Sequence, residues 1–196
     1  MHSQSIDEKL FLALNNNHSD WLDVLMRLAS NMFLYIPVLL LIVILSFRYF
    51  KAQNNYHTLP NTILISIILV LEFVFCLELL PQIFAGLFEM ERPCLNPNIS
   101  SMVRLVGEDC NTSAPYFAIR PFLMFFITGF LFFTFRKEYP AIKWMLLVWS
   151  VLVSYSRIYL GAHYPVNVLI AAGVGITMGY LGSQLYFYLK NRLFAI

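Results

Sequence analysis

Long apolar runs alternate with short polar stretches along this chain. The apolar runs cover about residues 32–50, 60–86, 117–135, 141–160 and 166–189. A helix needs roughly 20 residues to cross the hydrocarbon core of a bilayer, and these runs are of that order. They lack the alternation of a membrane β-strand, and lipid cannot satisfy an open strand edge. We therefore predict an all-α, polytopic membrane bundle of about five transmembrane helices, with residues 1–196 forming one domain.

Residues 1–30 are too polar to cross a bilayer. Their apolar residues recur at helical intervals on both sides of the polar run at 15–17, and Ser19 with Asp20 is suited to begin a second helix. The segment has neither the basic start nor the unbroken apolar core of a cleavable signal peptide. We predict two short interfacial helices and favour a membrane anchor over contact with a substrate.

Composition and charge support a membrane protein and suggest its orientation. The chain is 59% hydrophobic and 12% charged, with a mean hydropathy of +0.68. Lysines and arginines concentrate in three connections, which we expect on the cytoplasmic side: Arg48, Lys51, Arg136, Lys137, Lys143, Lys190 and Arg192. Most acids lie in the other connections: Asp7, Glu8, Asp20, Asp23, Glu89, Glu91, Glu108 and Asp109. Five spans then place the N-terminus outside and the C-terminus inside, and the net charge of +2 gives no reason to expect nucleic-acid binding.

Two of the three cysteines fall in the loop at 87–116, on the expected outer side. Cys94 and Cys110 would pair in an oxidising compartment, where such a loop gains roughly 3 kcal/mol from cross-linking. Two free thiols are the alternative. Cys76 lies within an apolar run, where we expect it to serve packing.

A polar interruption, "SRIYLGAHYPVN" at 156–167, separates the last two apolar runs. Arg157 ends one span, and Pro165 suits the first turn of the next helix. Asn167 follows His163 by four residues, so its side chain can reach the imidazole and decide which nitrogen carries the proton. A guanidinium can hold the oxygens of a phosphate, and an oriented histidine beside it can attack the phosphorus. Alternatively, these side chains only anchor the helix ends at the interface.

The same segment resembles the third motif of the type-2 phosphatidic acid phosphatase family: Ser-Arg, five residues, His, three residues, Asp. "ERP" at 91–93 is similar to the end of the first motif, Lys, six residues, Arg-Pro. The resemblance extends over nearly the whole chain and is strongest to a short bacterial membrane branch found in Bacteroidetes. It implies a helical bundle with a phosphate site at its outer face. It also implies that His163 is the nucleophile, and that Arg92, Arg157 and Ser156 bind phosphate.

Three family positions carry other residues. Ala85 stands where the first-motif lysine belongs, and Asn167 replaces the aspartate that orients the histidine. The histidine of the second motif, which protonates the leaving group, aligns with Arg120 through the cysteine or with Ala118 through Pro115. We prefer Arg120. Because arginine holds an anion but does not release a proton, these replacements favour phosphate binding over efficient hydrolysis.

Two acids lie within the second apolar run, where a charged carboxylate is costly in lipid. Glu78 is seven residues before Ala85, so the two share a helix face, and one interpretation directs Glu78 toward the phosphate site to pair with an arginine. Helix packing or contact with a partner subunit is the alternative for Glu78 and for Glu72. In the last run, Gly173, Gly175, Gly179 and Gly182 predict close helix packing.

Three function hypotheses follow. The first is a catalytically degenerate protein of this family that binds a phosphorylated membrane lipid or serves as a subunit of a membrane-protein complex. The second is an active lipid phosphate or undecaprenyl pyrophosphate phosphatase, and the third is a lipid transporter that uses Glu72 and Glu78. We expect no metal, no cofactor and a location in the bacterial inner membrane.

Overall fold

The computed structural model describes residues 5–53, 57–87, 91–107, 110 and 117–194, and within these ranges the regular elements are all helical. The helices are α1 (Ile6–Asn15), α2 (Asp20–Ala29), α3 (Tyr35–Ala52), α4 (Thr58–Leu87), α5 (Ile119–Thr134), α6 (Pro140–Tyr159) and α7 (Pro165–Phe194). Short 3₁₀ turns occupy Met32–Leu34, Pro93–Leu95 and Ser100–Met102. The predicted all-α bundle is confirmed.

Among the described residues, four helical stretches are long and apolar enough to cross a membrane: Met32–Ala52, Thr58–Phe84, Pro140–Tyr159 and Pro165–Phe194. The predicted span at 117–135 is α5, which has 16 residues. At 1.5 Å per residue α5 is about 24 Å long, shorter than the ~30 Å hydrocarbon core. Residues 121–131 are all buried, so α5 is the central helix around which the longer helices pack.

Helix α7 packs against α5 with almost no side chain between the two backbones. A Cβ added at Gly175 would lie 2.5 Å from the carbonyl oxygen of Phe122, and one at Gly179 would lie 2.5 Å from that of Phe126. Glycine is required at both positions, as the sequence predicted. The prediction was wrong for Gly173, since an added Cβ there meets nothing within 4 Å.

The two predicted N-terminal helices are present, and they pack on the end of the bundle. Helix α1 begins with a capping box, in which Ser5 and Glu8 bond each other's backbone N–H groups. The amide of Asn15 donates to the carbonyl oxygens of Arg104 and Tyr159, at 2.9 and 2.8 Å. Helix α2 leaves Trp21 and Leu28 largely exposed. The segment therefore binds the end of α6 and keeps an apolar face outward, as an interfacial helix does.

The bundle has two chemically different ends. The site end contains the start of α5, the α6–α7 turn and the loop at 91–107, and here Cys94 and Cys110 form the predicted disulfide, with Cα atoms 6.0 Å apart. The basic end contains the end of α3, the α5–α6 turn and the end of α7, with seven lysines and arginines from the charge pattern above. Cys76 lies in α4, and its side chain is outside the described part of the structure.

Candidate functional site

The turn between α6 and α7 folds His163 back over Arg157. Helix α6 ends in a Schellman motif, in which Ala162 N–H donates to the carbonyl of Arg157 and Gly161 N–H donates to that of Ile158. The backbone N–H of His163 donates to the same Arg157 carbonyl, at 3.2 Å. Gly161 has φ of +83°, and a Cβ there would lie 2.6 Å from the carbonyl oxygen of Arg104. The turn thus depends on glycine at this position.

Asn167 lies between His163 and the start of α5, as the spacing predicted. Its Oδ1 accepts a hydrogen bond from the backbone N–H of Ala118 at 3.3 Å, and its Nδ2 lies 3.3 Å from Nδ1 of His163. Asn167 is 1% exposed and Ala118 is fully buried. Because a backbone N–H can only donate, Oδ1 must face Ala118 and the NH₂ group must face the imidazole.

A cavity of about 260 Å³ at the site end is lined by three arginines and His163. Its polar and charged lining residues are Arg92, Arg120, Arg157, His163 and Tyr35. Its apolar lining residues are Met32, Leu77, Phe117, Ile119 and Leu123. We call this space the arginine cavity. Among these described lining residues three carry a guanidinium and none is acidic.

Two of the three arginines share one hydroxyl. Ser30 Oγ accepts hydrogen bonds from Nη1 of Arg120 at 2.6 Å and from Nη1 of Arg157 at 2.5 Å. Tyr35 donates its hydroxyl proton to the backbone carbonyl of Arg120, at 3.1 Å. Ser30 directly follows α2 and is buried. A membrane anchor alone was therefore too narrow a prediction for residues 1–30, because Ser30 holds two arginines of the cavity together.

The third arginine is held by the α6–α7 turn itself. Arg92 is 5% exposed, and its Nε donates to the carbonyl oxygen of Ala162 at 3.3 Å. Arg92 directly precedes the 3₁₀ turn Pro93–Leu95, which also carries the disulfide residue Cys94. The disulfide therefore limits the movement of the loop that brings Arg92 to His163.

A second polar cluster fixes the N-terminal helices to the site end. Arg104 forms an ion pair with Asp23 through two hydrogen bonds, and the Tyr159 hydroxyl donates to the same carboxylate. Hydrogen bonds from Arg104 first, and then from Tyr159, lower the pKa of Asp23 from 3.8 to about 2. This cluster positions α2, and through α2 it positions Ser30.

Some predicted site residues lie elsewhere. Ser156 is fully buried and donates its hydroxyl proton to the carbonyl of Val153 in its own helix, so it does not line the cavity. Ala118 contributes its backbone N–H. Ala85 lies in α4, with its side chain outside the described part of the structure.

The two intramembrane acids do not reach the arginine cavity either. Glu78 is exposed on α4 and forms no ion pair with the described arginines, while Leu77 lines the cavity in its place. Glu78 therefore does not line the arginine cavity, because adjacent helical residues point about 100° apart. Glu72 lines a separate cleft of about 340 Å³ between α4 and α7.

Ser30 could not be identified as a site residue from the sequence. It belongs to no motif, it is separated from Arg157 by 127 positions, and it follows a segment interpreted as an anchor. Its one local feature is its position directly after the last apolar helical residue, Ala29, where a small polar residue commonly ends a helix.

Three guanidiniums, one buried imidazole and an apolar wall line the arginine cavity. Guanidinium groups are suited to phosphate oxygens, which accept several charged hydrogen bonds at once. The fold and the site thus define a helical membrane protein with an arginine-lined cavity at one end of the bundle.

Comparison with known proteins gives the family. The sequence model of the PAP2 superfamily matches residues 118–191, which include Arg157, His163 and Asn167. The match confirms the predicted resemblance to the type-2 phosphatidic acid phosphatases over this part of the chain.

Two bacterial relatives are similar over almost the whole chain. A lipid A 4′-phosphatase of Bacteroides thetaiotaomicron is 25% identical over 193 residues, which cover 97% of this chain and 79% of the relative. A lipid A 4′-phosphatase of Porphyromonas gingivalis is 27% identical over 192 residues, covering 95% and 75%. The crystal structure of Aquifex aeolicus LpxE has the same fold, with a TM-score of 0.63, 21% identity and coverage of 94% of this chain and 98% of that one.

Proposed function

We propose that this protein binds the phosphate group of a membrane lipid in the arginine cavity and hydrolyses it slowly or not at all. Arg92, Arg120 and Arg157 hold the phosphate oxygens, and the apolar wall at Met32 and Leu77 contacts the lipid part. In this role the protein is a lipid-phosphate binding protein or a subunit of a membrane-protein complex.

The arrangement around Asn167 carries this proposal. With its NH₂ group directed at Nδ1, neutral His163 accepts a hydrogen bond there and carries its proton on Nε2. A histidine attacks phosphorus with a nitrogen lone pair, and in this tautomer Nε2 has none. An aspartate has only acceptors and would place the proton on Nδ1, leaving Nε2 able to attack.

The residue at another family position supports the same proposal. Arg120 stands at the preferred position for the proton donor, and arginine does not release a proton at ordinary pH. A missing general acid costs about 10²–10⁴ in rate. Arg120 also donates to Ser30, which supports a role in holding charge.

A second candidate is an active lipid phosphatase. The two lipid A 4′-phosphatases support it, because their similarity covers 95–97% of the chain. By this proposal the substrate would be a lipid monophosphate, with lipid A as the first to test, or undecaprenyl pyrophosphate. A pyrophosphate depends less on the missing acid, because phosphate is a better leaving group than an alkoxide.

The third candidate, a lipid transporter, has less support. It required Glu72 and Glu78 along a path from the charged cavity, but neither side chain is among the residues that line it. Lipid movement in reconstituted vesicles without phosphate release would favour it.

We further propose that the site end faces the outside of a bacterial inner membrane, with the N-terminus outside and the C-terminus in the cytoplasm. The concentration of lysine and arginine at the basic end supports this orientation. The Cys94–Cys110 disulfide supports it independently, because disulfides persist in oxidising compartments. Cysteine labelling from each side of intact membranes would test it.

The deciding experiment measures binding and phosphate release with the same purified protein. Lipid A, phosphatidate and undecaprenyl pyrophosphate are supplied in mixed micelles, and both bound lipid and free phosphate are quantified. We expect binding of at least one lipid and very slow release. Turnover of about 1 s⁻¹ or more, lost in His163→Ala, would establish an active phosphatase instead.

A charge-matched pair of variants tests the cavity. Arg157→Ala should weaken lipid-phosphate binding by about 1.5–3 kcal/mol, the usual contribution of a hydrogen bond to a charged group. Arg48→Ala removes the same charge at the basic end and should leave this binding unchanged. Equal effects of the two variants would contradict binding in the arginine cavity.

A further inference from the structure

A second polar cavity lies at the basic end, far from the arginine cavity. It has a volume of about 660 Å³ and is lined by Tyr49, Thr134, Arg136, Lys137, Glu138, Gln184, Phe187 and Asn191. We call it the basic-end pocket. Its residues come from the ends of α3, α5 and α7 and from the α5–α6 turn, whereas the arginine cavity adjoins the opposite ends of α5 and α7.

A buried hydroxyl in this pocket has no partner in the described structure. Thr134 is 7% exposed, it lines the pocket, and its Oγ1 makes no hydrogen bond to a described residue. A buried polar group without a partner is costly, and most such groups in native structures bond to protein, water or a ligand. Thr134 therefore indicates an occupant with a hydrogen-bonding atom.

Hydrogen bonds fix the α5–α6 turn, which carries Arg136 and Lys137. Lys143 on α6 is buried, and its Nζ donates to the carbonyl oxygens of residues 135 and 136, at 2.8 and 3.1 Å. Tyr139, at the other end of the turn, has φ of +52° and donates its hydroxyl proton to the carbonyl oxygen of Leu45. Arg136 and Lys137 are thus presented by a backbone fixed to both α3 and α6.

The charge of the pocket favours an anion. Arg136 and Lys137 form no ion pair with the described carboxylates, although Glu138 also lines the pocket. The side-chain amides of Gln184 and Asn191 add neutral donors, as does the hydroxyl of Thr134. Glu138 is the one acid beside Arg136 and Lys137 in the pocket. It is also the one acid beside the seven lysines and arginines of the basic end, so the charge at this end is positive.

The position of the pocket selects a lipid over a soluble anion. It lies where the membrane-spanning helices α3 and α7 end, at the depth of lipid headgroups. Two of its walls are aromatic, Tyr49 and Phe187, and Tyr188 beside them is 57% exposed on the outer surface of α7. Aromatic side chains at this depth contact the boundary between headgroups and acyl chains. Basic pockets between membrane helices commonly bind lipid phosphates.

We propose that the basic-end pocket binds the phosphodiester headgroup of an anionic glycerophospholipid from the leaflet around this end of the bundle. The phosphate accepts hydrogen bonds from Arg136 and Lys137 and, once the buried Thr134 side chain rotates toward the pocket, from its hydroxyl. The acyl chains lie along the exposed surface of α7. This site is separate from the proposed lipid-phosphate site and does not depend on it.

The test uses full-length protein in nanodiscs of phosphatidylcholine, with and without phosphatidylglycerol, and native mass spectrometry to count retained phosphatidylglycerol. The double variant Arg136→Gln and Lys137→Gln should weaken phosphatidylglycerol binding by about 30-fold, as expected for two cations near a phosphate. The control, Arg48→Gln with Lys51→Gln, removes the same charge at the same end outside the pocket and should change binding less than about twofold. Equal losses in both double variants would overturn the proposal in favour of diffuse attraction.

The variant Thr134→Val provides a second test, in which the melting temperature is measured with and without phosphatidylglycerol. Because the hydroxyl has no described partner, its replacement should raise the melting temperature of protein in phosphatidylcholine alone. It should also reduce the further increase that phosphatidylglycerol produces. An undiminished phosphatidylglycerol effect would overturn the assigned role of Thr134. Competition by inorganic phosphate as strong as that by phosphatidylglycerol would show a soluble-anion site and exclude the lipid.

Discussion

Measuring which ring nitrogen of His163 carries the proton is the most direct test of the site. The substitution Asn167→Asp should move this proton from Nε2 to Nδ1. In the wild-type protein, rotating the Asn167 amide to accept from the imidazole would remove the bond from Ala118 N–H and direct two donors at each other. Leaving a buried donor unsatisfied costs about 1–3 kcal/mol. The Nε2–H tautomer should therefore exceed the Nδ1–H tautomer by about 5- to 150-fold.

Nitrogen NMR of protein labelled in its histidine rings measures this ratio, since a ring nitrogen with a lone pair and one bearing a proton have well-separated shifts. The chain has four histidines, and His163→Gln assigns the relevant signals by subtraction. The measurement is made at about pH 8, above the ordinary imidazole pKa near 6.5. In Asn167→Asp the carboxylate accepts from both Ala118 and Nδ1, so the proton should move to Nδ1.

The signals of His18 and His57 serve as internal controls and should not change. A wild-type Nδ1–H tautomer would refute the reasoning, as would a tautomer that stays on Nε2 in Asn167→Asp. Phosphate release by Asn167→Asp should rise little, because the proton donor is still missing. A variant that reaches ordinary turnover would show that the tautomer alone limits the wild-type protein.

Three further predictions concern the frame of the site. Ser30→Ala should lower the free energy of unfolding by about 1.5–3 kcal/mol. Added phosphate should reduce this loss of stability, because its oxygens replace the acceptor that Arg120 and Arg157 have lost. A loss of stability that phosphate does not change in thermal unfolding would contradict this role of Ser30. Gly161→Ala should cost more than about 2 kcal/mol, because its Cβ meets the Arg104 carbonyl at 2.6 Å, whereas Gly173→Ala has open space and should be neutral or stabilising in the same assay. The lowered pKa of Asp23 means that its ion pair stabilises the fold above about pH 4 and loses this contribution as the pH falls through about 2; Asp23→Asn should remove this part of the acid dependence of melting.

Much of the fold could be predicted because hydropathy reports directly on the solvent around a helix. The apolar runs correspond to α3 through α7, and the paired cysteines follow from their shared loop. Hydropathy does not distinguish a helix surrounded by lipid from one surrounded by protein. For that reason α5 was predicted as an ordinary span, although it is the short central helix of the bundle.

The site was predictable where it depends on short spacing. His163 and Asn167 are one helical turn apart, so their contact could be predicted from the sequence. Ser156 was misplaced because a motif gives a position along the chain but not the direction of a side chain, which here turns back to its own helix. Ser30 could not be found, since its contacts with Arg120 and Arg157 arise only when α2 packs against the bundle.

The close approach of α5 and α7 divides the wall of the arginine cavity into a fixed part and a movable part. Separating these two helices would break backbone contacts that only glycine permits, so Arg120 and His163, at their adjoining ends, stay at a set distance. The opposite wall, with Tyr35 and Leu77, belongs to α3 and α4, whose outer faces meet lipid. If the cavity binds a lipid headgroup as proposed, a bulkier headgroup would be accommodated by movement of α3 and α4. Tolerance for headgroup size and affinity for phosphate would then depend on different parts of the bundle, and selection could change one without changing the other.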